Sequence, residues 1–210
     1  MLAPDQMSDT TAGVTVAKAP EDLHRISDHG CGGVVWHRQP LVGFQSWIDA
    51  VDPDNLPSGR LLLRPDAVRD AMTMLCDAAQ TPVGPQRMRL IDDIAALADI
   101  FGDVMQTHFL RLRLAKITRN ACRKFHVDAI TARLICTYRG PGTQYGVSHD
   151  ATDPKRVFTT PTGSTIVLRG SRWLENPISG LLHRSPPIEG TGQTRLVLVL
   201  DPVLDEGEVS

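Results

Sequence analysis

The spacing of apolar residues divides the chain into two regimes. From about residue 21 to 106 they recur at helical intervals. Glu21 to Asp28 reads as a short helix ended by the glycines at 30, 32 and 33, and Val34-Val35-Trp36 as a short strand. Phe44, Trp47, Ile48 and Val51 share one helical face, and Asp52-Pro53 breaks the pattern. A second helix starts near Pro65, with Val68, Met72, Leu75 and Cys76 inward. A third spans about Pro85 to Met105, burying Leu90, Ile91, Ile94, Leu97, Ile100, Phe101 and Val104.

After Thr107 the period shortens to two. Leu110, Leu112 and Leu114 alternate with Arg111 and Arg113, which predicts a strand with one polar-lined face. Ala132 to Tyr138 is a second strand, ended by Arg139-Gly140-Pro141-Gly142. Short runs follow at Val157–Thr160 and Ser164–Leu168, and a last strand runs from Arg195 to Leu200 and stops at Asp201-Pro202. Several short strands separated by Gly/Pro turns indicate an antiparallel barrel or sandwich. The expected organisation is a mobile tail over 1–20, one domain over 21–202 and a C-terminal tail over 203–210. Within the domain, a helical layer (21–106) covers a β-core (107–202), so the fold class is mainly β with helices, α+β.

Composition narrows the function classes. The 210 residues are 41% hydrophobic, enough for a core, and 22 Lys+Arg against 24 Asp+Glu leave a formal net charge of −2. That balance argues against a protein that binds nucleic acid by bulk charge. No apolar run is long enough to span a bilayer. The N-terminal residues have neither a basic nor an apolar signal region, so the expected location is cytoplasmic. Cys31, Cys76, Cys122 and Cys136 form no C-x-x-C pair and read as buried, reduced thiols.

The candidate chemistry begins with His126-Val127-Asp128. In extended chain, residues two apart point the same way, so the imidazole and the carboxylate can face one point. Seven histidines and 24 acids supply about one such pair by chance in a chain of this length, so the pair needs support. It comes from His183, 57 positions downstream, and from Arg195 at the head of the apolar strand RLVLVL. Two neutral imidazoles and a carboxylate on one face of an ion make the triad of non-haem Fe(II) oxygenases, with positions left open. A guanidinium at a barrel mouth suits a carboxylate bidentately.

This order of parts resembles the 2-oxoglutarate/Fe(II)-dependent dioxygenases. The matching residues are Phe125-His126-Val127-Asp128, Tyr138-Arg139-Gly140-Pro141-Gly142-Thr143, Gly163 to Gly170, His183-Arg184 and Arg195. The resemblance implies a double-stranded β-helix with the metal at its mouth. It also implies Fe(II) held by His126, Asp128 and His183, and 2-oxoglutarate gripped by Arg195. The activity implied is oxidative decarboxylation of 2-oxoglutarate coupled to C–H oxidation of a small-molecule or peptide substrate. The family often places a Ser or Thr two residues after the Arg, where this chain has Val197; Tyr138 or Thr137 would then supply the hydroxyl, and their opposite parity lets only one face inward. The stretch FHVD…RLICTYRGPGTQYG is also similar to a bacterial family known only as a domain of unknown function, over roughly residues 20–202.

Other readings stay open. The same ligands could hold Zn²⁺ without turnover, as a metal-binding protein in metal homeostasis. The β-domain could also be an interaction module without chemistry. His149-Asp150 reads as plain loop or as a cover over the substrate, Arg133 and Arg169 as either barrel-lining or solvent-facing, and Trp173 as packing or pocket wall.

Overall fold

The structure, a computed structural model, describes residues 13–40, 42–148, 150, 152–174 and 179–203. His149, residues 1–12 of the expected N-terminal tail and residues 204–210 of the C-terminal one lie outside the described residues.

The three helices fall where the periodicity puts them: α1 (Phe44–Ala50), α2 (Val68–Ala78) and α3 (Pro85–Met105). Pro85 takes the first position of α3, where its missing N–H costs nothing. The helix closes with Gln106 in the left-handed region and the Thr107 N–H bonded to the Gly102 carbonyl at 3.0 Å. Every position expected on the inner face of α3 is buried except Ile100, which is partly so. Pro20–Ser27 is a 3-10 helix with Leu23 and Ile26 inward.

Among the described residues ten strands form: β1 (Val14–Ala17), β2 (Gly33–Trp36), β3 (Gly59–Leu63), β4 (Phe109–Ile117), β5 (Ala132–Arg139), β6 (Gln144–Val147), β7 (Phe158–Thr159), β8 (Thr165–Arg169), β9 (Leu181–Arg184) and β10 (Arg195–Val203). They make a seven-stranded sheet in the order β1-β2-β8-β5-β10-β4-β3 and a three-stranded sheet in the order β7-β6-β9. The double-stranded β-helix expected from the sequence is the fold observed.

Alternation along the large sheet divides its side chains between two cores. Leu110, Leu112, Leu114, Leu134, Cys136, Tyr138, Val167, Leu196, Leu198 and Leu200 face the helices. The intervening residues Val35, Ile135, Ile166, Leu168, Val197 and Val199 face the small sheet and pack on Tyr145 and Leu181. The inner space between the sheets opens at the β4–β10 side, and there the candidate residues lie.

Several expectations are corrected. Val14–Ala17 is not tail but an edge strand, paired in parallel with β2. β3 lies inside the segment expected to be helical and pairs with β4; its Leu61-Leu62-Leu63 run carries no period of two. β6 and β9 are four residues each, too short to show a period. β10 runs through Asp201-Pro202 to Val203, because Pro202 lies past the last pair with β5, where only β4 remains as a partner. Cys122 is exposed, unlike the other three cysteines.

One polar network ties the helical layer to the sheet. Asp93 of α3 accepts two bonds from Arg38, at 2.6 and 3.1 Å, and one from the Tyr138 hydroxyl at 2.6 Å. Arg38 also donates to the Cys136 sulfur at 3.2 Å. Burial pushes the Cys136 thiol up to about 11 and the Tyr138 hydroxyl well above its usual range, so both stay protonated. Replacing Asp93 with Ala leaves the half-enclosed Arg38 charge without its acid. The expected loss is about 2 kcal/mol, read from urea denaturation; a loss below about 0.5 kcal/mol would match an exposed ion pair and remove the network from the account.

Candidate metal centre

His126 and His183 meet through their backbones. The N–H of each bonds to the carbonyl of the other, at 3.1 and 3.0 Å, as an antiparallel bridge outside the regular strands. Residues opposed in this way project their side chains to one side. The two rings accordingly lie with centroids 4.6 Å apart. His183 is held from its other side by β6, where it pairs with Tyr145.

Asp128 joins them by its position two residues after His126. Its Oδ2 lies 3.0 Å from His183 Nε2, and its Oδ1 lies 3.4 Å from His126 Nε2. The loop carrying it is fastened to the end of β8. Ser171 N–H donates to the Asp128 carbonyl at 2.9 Å, Arg172 N–H to that of Ile130 at 3.0 Å, and Gly170 N–H to that of Thr131 at 2.8 Å. Gly170 permits this approach, since a Cβ there would stand 2.0 Å from the Ile130 carbonyl oxygen.

The donor set fits a divalent ion. The three ligand atoms lie within 4.8 Å of one another. Metal–ligand bonds of about 2.1 Å at right angles would put neighbouring donors about 3 Å apart. His126 Nδ1 lies 2.9 Å from the Lys124 carbonyl, an acceptor, so the proton on Nδ1 leaves the Nε2 lone pair for an ion. Burial acts to raise the Asp128 carboxyl, but the His183 hydrogen bond and the Arg133 charge outweigh it and hold the group at about 2. The carboxylate is therefore ionised at neutral pH.

The sequence permits either orientation for Arg133; it faces inward. It donates to Asp128 Oδ2 at 2.5 Å and forms a two-pronged pair with Asp201, both bonds at 2.7 Å. It thus holds the carboxylate in place from behind. Arg169 has the other parity and turns away, donating to the Ile26 and Asp28 carbonyls and stacking on Trp173. Trp173 is consequently packing, not cavity wall.

A cavity of about 330 Å³ opens beside the two histidines. Its floor is Ile135, Val197 and Val199, and Arg195 and Thr143 line it too. Arg195 is 1% exposed. Its Nε donates to the Pro141 carbonyl at 2.7 Å and its Nη2 to the Thr137 hydroxyl at 3.4 Å. Among the described residues no carboxylate pairs with it, and burial pushes its pKa down to about 10. The Gly-Pro-Gly turn builds the seat. Gly140 has φ +76°, and a Cβ there would come within 2.9 Å of Arg195 Cγ.

Of the two candidate hydroxyls, Thr137 faces Arg195. Tyr138 is the correction: it belongs to the opposite face, where its hydroxyl is spent on Asp93. The regular pairing of Ile135 with Val199 and Thr137 with Val197 sets this parity. Arg133 and Thr143 were missed as functional candidates. The period of β5 could have grouped Arg133 with Thr137, but only the register tells which parity is inward.

Asp128 gives the metal-free protein a defined acid dependence. A carboxyl depressed from 3.8 to about 2 contributes stability above its unfolded pKa and loses it as pH falls through the folded value. The contribution is about 2 kcal/mol. Unfolding midpoints measured between about pH 5 and 2 should fall less steeply in Asp128→Asn than in the wild type, and parallel curves would contradict the assigned shift.

The fold has solved counterparts. The structure is similar to the dioxygenase for auxin oxidation 1 from Arabidopsis thaliana in binary complex with 2-oxoglutarate, with a TM-score of 0.50 and 11% identity over 92% of each chain. It is also similar to the dioxygenase for auxin oxidation in rice, with a TM-score of 0.51 and 12% identity over 94% of this chain and 84% of the other. At such identities the likeness shows a shared fold. No curated protein matches the sequence significantly. A family model described as a protein of unknown function, DUF1826, matches residues 17–201, and the chain belongs to that family.

Proposed function

We propose that the protein is a 2-oxoglutarate-dependent non-haem Fe(II) oxygenase. The observation that carries this reading is that both histidines of a His–Asp–His set and a buried guanidinium with no acid of its own line one cavity. Burying an unpaired cation costs several kcal/mol unless a counter-charge arrives. The far carboxylate of 2-oxoglutarate is such a counter-charge. The Arabidopsis protein of the same fold, solved with 2-oxoglutarate, supports the choice.

His126, Asp128 and His183 would hold the ion on one face, and Fe(II) with 2-oxoglutarate would activate O₂, the oxidant, toward a C–H bond, 2-oxoglutarate leaving as succinate and CO₂. The remaining work belongs to the chain. Arg195 receives the distal carboxylate through the N–H groups not used on Pro141 and Thr137, and Thr137 and Thr143 offer hydroxyls beside it. Ile135, Val197 and Val199 keep the floor dry. Arg133 keeps Asp128 ionised and fixed beside the two imidazoles. A zinc-storage reading leaves the buried Arg195 without a purpose, which is why the oxygenase reading is preferred.

Anaerobic protein given Fe(II) and 2-oxoglutarate should develop the weak visible charge-transfer band of the chelate, and on admission of air should release succinate. His183→Ala should abolish the band through loss of metal. Arg195→Gln should retain metal and weaken 2-oxoglutarate binding at least about tenfold, the value of one charge-assisted contact. Stoichiometric metal that 2-oxoglutarate never perturbs would sink the proposal.

A further inference from the structure

The cavity beside the histidines has a second cationic region. Along β10 the inward residues are Arg195, Val197, Val199 and Asp201, so Arg195 and Val199 stand about 13 Å apart at 3.3 Å per residue. Val199 pairs with Arg113 of β4, and Arg113 pairs directly with Arg60 of β3. Arg60 and Arg113 both line the same cavity as His126, His183 and Arg195. The cavity is therefore a trough with one guanidinium near its β5 turn, two more toward the β3 edge, and an apolar floor between.

The Arg60–Arg113 arrangement opposes the stability of the sheet. Like charges directly across two antiparallel strands repel. Arg113 is half-buried, and neither residue has a hydrogen-bond or ion-pair partner among the described residues. The carboxylates nearest in register, Asp201 and Asp128, are both engaged by Arg133. Burial first, and then the charge of Arg133, lowers the Arg113 pKa, with Arg60 adding to it and Asp201 opposing. Lys116, also in the lining, reaches only the exposed Asp54 at 3.4 Å. A chain of net charge −2 thus gathers six Arg and Lys side chains around one cavity. Arg195 accounts for one anion, and the pair at the β3 edge is placed for another.

We infer that Arg113 and Arg60 receive an anionic group, a carboxylate or a phosphate, of the molecule oxidised at the metal centre. The substrate is then an acid that lies along the apolar floor with its charged end at the β3–β4 edge. This deepens the oxygenase reading and rests on it for the chemistry, while the anion site is a property of the sheet alone.

The test separates the two. In an Arg195→Gln background, so that Arg195 cannot report, the metal-free protein is titrated with inorganic phosphate and separately with propionate, followed by amide NMR and thermal unfolding. Saturable shifts at the amides of Arg60 and Arg113 are expected with at least one anion, and which of the two binds more tightly distinguishes phosphate from carboxylate. Adding Arg113→Gln should weaken that binding at least tenfold. Arg60→Gln, at an exposed strand edge where folding is not at risk, should weaken it less and should raise the unfolding temperature of the anion-free protein. Each of these two substitutions alone, with Arg195 intact, should leave the Fe(II)–2-oxoglutarate band in place. Unchanged anion affinity in the Arg60→Gln/Arg113→Gln variant, or no saturable shift with either anion, overturns the inference even if the band forms. Anion binding that depends on Arg113 in a protein that never forms the band supports the site and removes the oxygenase reading instead.

Discussion

The mutual backbone bonds between His126 and His183 are the constraint on which the site depends. They close a loop of more than fifty residues with two hydrogen bonds, and they leave the two imidazoles side by side without any contribution from the side chains themselves. Asp128 then needs only the extended geometry of the next two residues and the three bonds that fasten its loop to residues 170–172. Each of these contacts is made by main-chain groups, which must be paired wherever they are buried. The donor set is thus a by-product of satisfying the backbone at the barrel mouth.

The large sheet serves two cores at once, and this double use explains the conduct of neighbouring residues. On β5, Thr137 reaches Arg195 while Tyr138, next to it, bonds Asp93 in the helical layer. On β10, Val197 and Val199 floor the cavity while Leu196, Leu198 and Leu200 pack on helices. No residue of the three helices lines the cavity; they pack on the opposite face of the strands that do. A rigid sheet holding the reacting groups suits a site whose ligands must stay within a few tenths of an ångström of one geometry.

Charge is distributed unevenly in a nearly neutral chain. Acids are plentiful in the helices, whereas the cavity is lined by cations, and the two carboxylates closest to it, Asp128 and Asp201, share one guanidinium. Arg133 therefore has two effects. It keeps Asp128 a carboxylate, and it takes the direct bonds of both acids, which leaves Arg113 only their more distant attraction. The low-dielectric setting makes the uncompensated cations that remain strong attractors for anions.

Three helices with their buried faces, the β-class of the second half, and the set His126, Asp128, His183 and Arg195 can be read from the chain before it is folded. Those features are written in local periods, in proline and glycine punctuation, and in an order of motifs. Strands of four residues, such as β6 and β9, carry no period to read, and β3 shows a leucine run in place of one. The parity of β5, which turns Arg133 inward and Tyr138 away, and the pairing that sets Arg113 against Arg60 emerge with the folded sheet. Register joins residues far apart in the chain, and a shift of one position would reverse every face; that choice is made by the packing of two cores together, which no single segment of sequence contains.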